Sequence, residues 1–264
     1  MDAAKVKEIH RDRWSRSARE YQDVVVPIFA PVVEEVLRRA ALRPGWSVLD
    51  VGTGPGVAAL RAAEIVGPAG EIVGIDLAPD MITTAESRVR DVSGAGPRFA
   101  VMDAESLSFP DASFDAVIAS LSLMLCPNPD LALREARRVL KPGGRIAAAV
   151  WGAVDRTAMG RLRILAEEYV AAPPGMTDAN TLGDPALVDR LFRKAGFVVT
   201  VETIPIELTY RDAEHFWEAH SGSIKARLQL DQVEAIHRQI LAELGPASPL
   251  RPRNELILAS GTRA

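Results

Sequence analysis

The chain is short of several things, and each shortage excludes a class of protein. One cysteine, Cys126, occurs in 264 residues, so no intramolecular disulfide and no multi-cysteine metal site can form. A reducing compartment is the natural expectation. Four histidines (His10, His215, His220 and His237) offer no convincing ligand set, and no metal is expected. Lysine is scarce, five residues against 26 arginines, and basic residues form no block; the net charge is −4. That balance is unfavourable for gripping nucleic acid through its phosphates or for an anionic membrane surface. The longest apolar runs, Val24–Val26 and Ile146–Trp151, are far too short to span a bilayer, and residues 1–20 lack the apolar stretch of a targeting segment. A soluble, cytoplasmic protein is expected. There is also no Gly-Lys-Ser/Thr, which removes a Walker-type phosphate loop.

What is present is ordinary globular material, 48% hydrophobic and 25% charged, with enough chain for one large domain or two small ones. Between Trp46 and Trp151, apolar runs at 46–51, 71–76, 97–102, 114–119 and 145–151 alternate with helical patterns at 57–66, 80–92 and 130–140. This rhythm predicts βαβ units and a parallel sheet covered on both faces. Lys141-Pro142-Gly143-Gly144 reads as a turn that stops the third of those helices. Helices are expected at 6–21 and 32–42, with Pro27 and Pro31 punctuating the join. Beyond Trp151 the rhythm breaks. Helices are expected at 159–170, 185–195, 213–220 and 224–244, and strands over 197–210, either side of Pro205, and 254–260.

The strongest local signal is Val48-Leu49-Asp50-Val51-Gly52-Thr53-Gly54-Pro55-Gly56, between the first strand and its helix. Glycines there permit a tight turn and close approach to a ligand, and the helix that follows presents free N–H groups. Asp76 ends the second strand and Asp103 follows the third. Acids after three consecutive parallel strands share the carboxyl edge, where such sheets bind ligands; Asp76 could hold ribose hydroxyls and Asp103 an adenine amino group. A nicotinamide or flavin dinucleotide is the competing ligand. Against it, the third small residue of that fingerprint is displaced, with Val57 before Ala58, and Asp50 would repel a pyrophosphate. An acid beside the loop suits a ligand with an amino group, such as S-adenosylmethionine.

The run from Trp46 to Trp151 resembles the core of class I S-adenosylmethionine-dependent methyltransferases, in particular the branch holding the ubiquinone/menaquinone C-methyltransferases and small-molecule methyltransferases. Four ordered stretches carry the likeness: VLDVGTGPG (48–56), VGIDLAPDMI (73–82), DAESLSFPDASFDAVIAS (103–120) and REARRVLKPGGRI (134–146). The resemblance implies a Rossmann-like α/β fold, a seven-stranded mostly parallel sheet in the order 3-2-1-4-5-7-6 with strand seven antiparallel, under a helical cap. It implies one domain over 1–264, with an N-terminal cap at 1–42, a cofactor core at 46–151 and substrate lids at 155–183 and 212–243. By position it implies that Asp50, Gly52, Thr53, Gly54 and Gly56 surround the methionine moiety and its loop. Asp76 would hold the ribose, Leu77 and Met81 would pack near adenine, and Asp103 and Ala104 would meet the adenine edge. Ser120 would lie beside the transferring methyl, and Tyr21 would close over the cofactor. Thr53 stands where many relatives carry cysteine, and its hydroxyl can still donate a hydrogen bond.

The expected activity is methyl transfer to a small, fairly apolar metabolite through an O-, C- or N-acceptor, by a monomer or homodimer. His220 and His215 are the candidate bases for a hydroxyl acceptor. His10 and His237 are read as solvent or packing residues, Trp14 and Trp217 as pocket aromatics, Trp46 and Trp151 as core, and Cys126 as a small packed hydrophobe. Three alternatives stand beside this: an S-adenosylmethionine enzyme that transfers no methyl group, a non-catalytic binding module, and a nucleic-acid methyltransferase. The last is disfavoured by charge and by Ala119-Ser120-Leu121-Ser122, which lacks an Asp/Asn-Pro-Pro-aromatic pattern.

Overall fold

The computed structural model describes residues 2–89, 96–171 and 174–264. Helix α1 (Ala3–Glu20) is capped by Asp2, whose carboxylate accepts the Lys5 amide. It passes through a π-helical segment, Tyr21–Val25, into α2 (Val26–Ala40). The second helix therefore starts six residues before the expected Val32. Pro27 falls in its first turn, where the missing N–H costs nothing, and Pro31 is accommodated inside it. The wide π turn, rather than the prolines, makes the join, and it carries Tyr21.

The core then follows in order: β1 (Ser47–Val51), α3 (Val57–Val66), β2 (Glu71–Asp76), α4 (Pro79–Val89), β3 (Arg98–Val101), β4 (Phe114–Ser120), α5 (Pro129–Val139) and β5 (Leu140–Trp151). The expected end of α4 at Val92 lies outside the described residues. Asn128 caps α5 by accepting the Leu131 amide, with Pro129 at the first helical position. Lys141–Gly144 is not the clean boundary the turn chemistry suggests. Leu140 already pairs with Phe114, and the ladder resumes at Arg145 opposite Ala116, so the four residues loop out of one strand. The rest is α6 (Ala158–Glu167), α7 (Pro185–Lys194), β6 (Phe197–Pro205), α8 (Ala213–His220), α9 (Gly222–Lys225), α10 (Leu230–Leu244) and β7 (Glu255–Arg263). Tyr210, expected at the end of β6, makes an isolated bridge to Leu250 instead.

The seven strands form one sheet in the order β3-β2-β1-β4-β5-β7-β6. Strands β1 to β5 pair in parallel and β7 runs antiparallel to both neighbours. Burial of Val48, Leu49, Ile75, Val117, Ile118 and Ile146 between the helical layers anchors it. Each such side chain stabilises the fold by about 1.5–3 kcal/mol relative to exposure. Consecutive parallel strands necessarily end on the same side, so residues 50–54, 76–78, 102–105 and 120–122 converge on one edge. Helix α1 lies across that edge and packs on α4. Among the described residues, no helix is long and apolar enough to cross a membrane.

Candidate functional site

The loop after β1 is shaped by contacts that only glycine tolerates. At Gly52, φ is +68°, and an added Cβ would stand 2.3 Å from Ser122 Cβ. Ser122 is itself held by donating to Val51 O at 2.6 Å. At Gly56, φ is +82°, and a Cβ would meet Phe99 Cζ at 2.8 Å. The Thr53 amide donates to Ile75 O at 2.8 Å, tying the loop to β2.

Two adjoining cavities open over this loop. The smaller is lined by Asp50, Thr53 and Pro55 with Val26, Phe29 and Val33 of α2. The larger runs along the strand ends past Asp76, Leu77, Met81, Asp103 and Ala104. Gly52, Gly54, Tyr21 and Ser120 border both. The fold therefore gathers Tyr21, Asp50, Gly52, Thr53, Gly54, Asp76, Leu77, Met81, Asp103, Ala104 and Ser120 around two cavities that share part of their lining. Gly56 lines neither cavity; its place is at the cap of α3 against Phe99.

Asp50 is fully buried, and its Oδ2 accepts the Thr53 hydroxyl at 2.6 Å. Its Oδ1 is buried with no hydrogen-bond partner. Burial, reinforced by the charge of Asp76 and opposed by the Thr53 hydroxyl and more weakly by the Ala59 amide, pushes its carboxyl up to about 7. Such an oxygen calls for a donor, best a cationic one. Asp76 accepts the Gly54 amide through Oδ2 and the Ala78 amide through Oδ1, both at 2.9 Å. Burial raises its pKa against those amides. The Leu77 amide also faces this carboxylate, and the lone pairs that remain can accept ligand donors such as hydroxyls. Burial and the Asp76 charge hold the Tyr21 phenol protonated, well above its ordinary range.

Asp103 is already engaged. Its Oδ1 accepts the Glu105 amide at 2.9 Å, and its Oδ2 takes Lys7 Nζ at 2.7 Å. Lys7 also reaches Glu105 Oε2 at 2.6 Å. Burial of Lys7 works against its charge, but the two acids outweigh it and raise its pKa. Lys7 is one site residue that sequence reasoning missed. His10 is another: read as a solvent or packing residue, it lines the larger cavity and is 3% exposed. Lys7, His10, Trp14, Ala18 and Tyr21 recur at three- and four-residue spacing, one face of α1, and that stripe was the available signal.

The candidate bases lie elsewhere. His220 bonds the Tyr210 hydroxyl through Nε2 at 2.8 Å and stacks on Phe29, centroids 5.9 Å apart. Burial lowers it to about 3, with His215 contributing. His215 accepts the Arg211 amide at Nδ1, 3.1 Å. Neither histidine lines either cavity. Of the aromatics, Trp14 borders the larger cavity. Trp217 instead stacks on His237, which pairs with Glu214. Trp151 is core, and Trp46 is half-buried beside β1. Cys126 borders the larger cavity, its thiol pushed up to about 12 by burial and by Glu105 and Asp103.

The model of the methyltransferase domain matches residues 49–148. Nocamycin O-methyltransferase of Saccharothrix syringae is 38% identical over 203 residues, which is 70% of this chain and 71% of that protein. The ubiquinone/menaquinone biosynthesis C-methyltransferase UbiE of Ralstonia pickettii (strain 12J) is 36% identical over 124 residues, 46% of this chain. The chain thus spans about half, 51%, of that relative's length. The solved structure of the YcgJ protein of Bacillus subtilis superposes with a TM-score of 0.64 over 88% of this chain and 97% of that one, at 23% identity, and shares the fold.

Proposed function

This chain belongs to the S-adenosylmethionine-dependent methyltransferases, and from that premise we propose that it methylates a small, fairly apolar metabolite at the carboxyl edge of its sheet. The observation that carries the reading is Asp50 Oδ1, a buried carboxylate oxygen without a partner at the end of the smaller cavity. The ammonium of a bound methionine moiety is the donor it lacks. The free amides at the start of α3 suit the neighbouring carboxylate. Asp76 would hold the ribose hydroxyls, Leu77 and Met81 would pack on the adenine, and Asp103 and Ala104 would meet its edge.

When bound, S-adenosylmethionine supplies a methyl carbon already activated by the positive sulfur. The protein then has to align the acceptor with that carbon and exclude water. Ser120 and Tyr21, which border both cavities, are assigned to the region where they join. Helix α1 and the π turn are assigned the N-terminal cap; among the described residues, none of 155–183 or 212–243 lines either cavity, so these segments are assigned as lids only for the acceptor side. The walls beyond are mostly apolar, with Phe29, Leu121 and Leu125 among them, which favours an apolar metabolite. The names of the relatives divide between oxygen and carbon acceptors. A carbon or amine acceptor needs no strong base. For a hydroxyl acceptor, His220 is our candidate base, standing one side chain behind Phe29, with His215 second. Burial holds His220 at about 3, so this role requires that Phe29 move aside and the imidazole meet the acceptor hydroxyl directly. The mildly acidic chain is assigned no nucleic-acid or membrane partner.

Calorimetry with S-adenosylmethionine on the native protein, Asp76→Ala and Gly54→Arg tests the cofactor half. Binding to the native protein and its loss in both variants supports the reading, and undiminished affinity in both overturns it. Incubation with methyl-labelled cofactor and a metabolite extract tests the transfer half. Label in an extractable small molecule, with stoichiometric S-adenosylhomocysteine, is expected. Substrate turnover without that by-product would instead assign non-methylating chemistry, and label confined to tRNA would restore a nucleic-acid substrate.

A further inference from the structure

Two polar atoms on the inner face of α1 are buried without partners, and they have opposite hydrogen-bonding character. The first is His10 Nδ1. Thr177 Oγ1 has one proton and donates it to Leu125 O at 2.8 Å. Its 2.9 Å contact with His10 Nε2 must therefore be one in which Nε2–H donates to Thr177 Oγ1. That fixes the tautomer and leaves Nδ1 as a bare lone pair. Burial, with the charge of Arg13, lowers this imidazole to about 4, so it is neutral at physiological pH. The second atom is Trp14 Nε1, an N–H with nothing to donate to. His10 and Trp14 are four residues apart on one helix, with Cβ atoms about 6 Å apart. Both border the larger cavity with Asp76 and Asp103. The same helix face engages Asp103 through Lys7, one turn before His10, and reaches the methionine-end cavity through Tyr21.

An acceptor and a donor one helical turn apart along one cavity wall complement a flat group that presents a donor and an acceptor on one edge. An adenine amino group has two hydrogens. If Asp103 takes the one beside N1, the other points, with the N7 lone pair, from the opposite edge of the ring. Buried under α1, that edge would lose hydrogen bonds on both atoms unless the protein replaced them. Resting on the cofactor reading above, we propose that His10 Nδ1 and Trp14 Nε1 read this N6/N7 edge of the cofactor's adenine. His10 accepts from the amino group and Trp14 donates to N7. The first helix is then a base-recognition element as well as a cover, and it selects adenine over other purines. The Thr177–Leu125 relay matters because it keeps His10 from presenting N–H where a lone pair is required.

The test uses the full chain and calorimetry with three probes: S-adenosylhomocysteine, its 7-deaza analogue and its 6-oxo (inosine) analogue. The native protein should bind the 7-deaza analogue about three- to tenfold more weakly than the parent, the value of one neutral hydrogen bond. Trp14→Phe keeps an aromatic ring without the N–H and should bind the two alike. His10→Leu should narrow the preference for the parent over the 6-oxo analogue, and His10→Asn, which restores an acceptor, should widen it again. Equal binding of the parent and 7-deaza compounds by the native protein overturns the proposal without any variant. So does a full 7-deaza penalty in Trp14→Phe. Failure of the native protein to bind S-adenosylhomocysteine at all would remove the cofactor reading itself, an outcome separate from loss of discrimination among nucleosides that bind.

Discussion

Lys7 Nζ lies 2.7 Å from Asp103 Oδ2, an ion pair that fastens the first helix to the end of the third strand. The partners are 96 positions apart in the chain. The same ammonium holds Glu105, so one lysine partly neutralises the two acids that follow β3. The helix that covers the cavity is thus held at its far end by charge and at its near end by the π turn around Tyr21.

Lys7→Met should loosen that fastening. The lysine is partly exposed, 23%, so the effect is discounted for solvent screening. S-adenosylhomocysteine should dissociate a few-fold faster at low ionic strength, and the difference from the native protein should shrink as salt rises. Stopped-flow measurement of release across a salt series checks this. A rate unchanged at low salt would show that the pair does not hold the helix over the ligand.

Asp50 makes two linked pH predictions. Its carboxyl in the folded protein, at about 7, stands above the ordinary 3.8. The folded state therefore binds its proton more tightly than the unfolded state does. The stability this confers is complete below about pH 4 and is lost as pH rises towards 7. Cofactor binding, which favours the ionised form, should strengthen as pH rises through that same region. Asp50→Asn should flatten both profiles and weaken S-adenosylmethionine by about tenfold or more, the value of a charge-assisted hydrogen bond. Thermal melts and calorimetry between pH 5 and about 8 would expose a mistaken assignment as slopes that survive in the variant.

Gly52→Ala should destabilise the fold and the site together. A methyl group there meets Ser122 Cβ at 2.3 Å, with φ at +68°. The expected cost is about 1–3 kcal/mol, read as a lower melting temperature. Ser122→Gly in the same chain relieves the clash but not the dihedral, so it should recover only part of the loss. Full recovery would assign the whole effect to the contact.

His220→Phe preserves a ring against Phe29 and removes the bond to Tyr210 at 2.8 Å. With a hydroxyl acceptor, kcat should fall about a hundredfold or more, with S-adenosylmethionine affinity retained. With a carbon or amine acceptor, kcat should hold. A loss of cofactor affinity in this variant would mean that the ring supports the cavity wall rather than the chemistry.

The strand order came from the family resemblance, whereas the alternating strands, the glycine loop and the three strand-end acids were readable along the chain. Their positions follow from local pattern, and right-handed βαβ connections then bring successive strand ends to one edge whatever else the chain does. Asp50 could be picked out, but not its bare Oδ1, because an unmet hydrogen bond is a property of everything around an atom. The limits of reading showed first at boundaries. Pro27 and Pro31 suggested a break before Val32, yet α2 begins at Val26 because the π turn makes the join. Lys141–Gly144 suggested a stop, yet the strand ladder starts at Leu140 and loops past it.

The larger gap concerns α1. Its sequence establishes an amphipathic helix with a stripe through Lys7, His10, Trp14 and Tyr21, and says nothing about what that stripe faces. Packing of α1 across the strand ends turned His10 from an idle histidine into a buried lone pair bordering the same cavity as Asp103, and Lys7 into that acid's partner. Packing of α8 put His220 behind Phe29 of α2 rather than in the open cavity. Strand-end chemistry is local and ordered by topology, so it can be read in one dimension. Which helix face covers it depends on contacts between residues 52 to 167 positions apart, such as Thr177 with Leu125 and His10 with Thr177, and those exist only once the chain has folded.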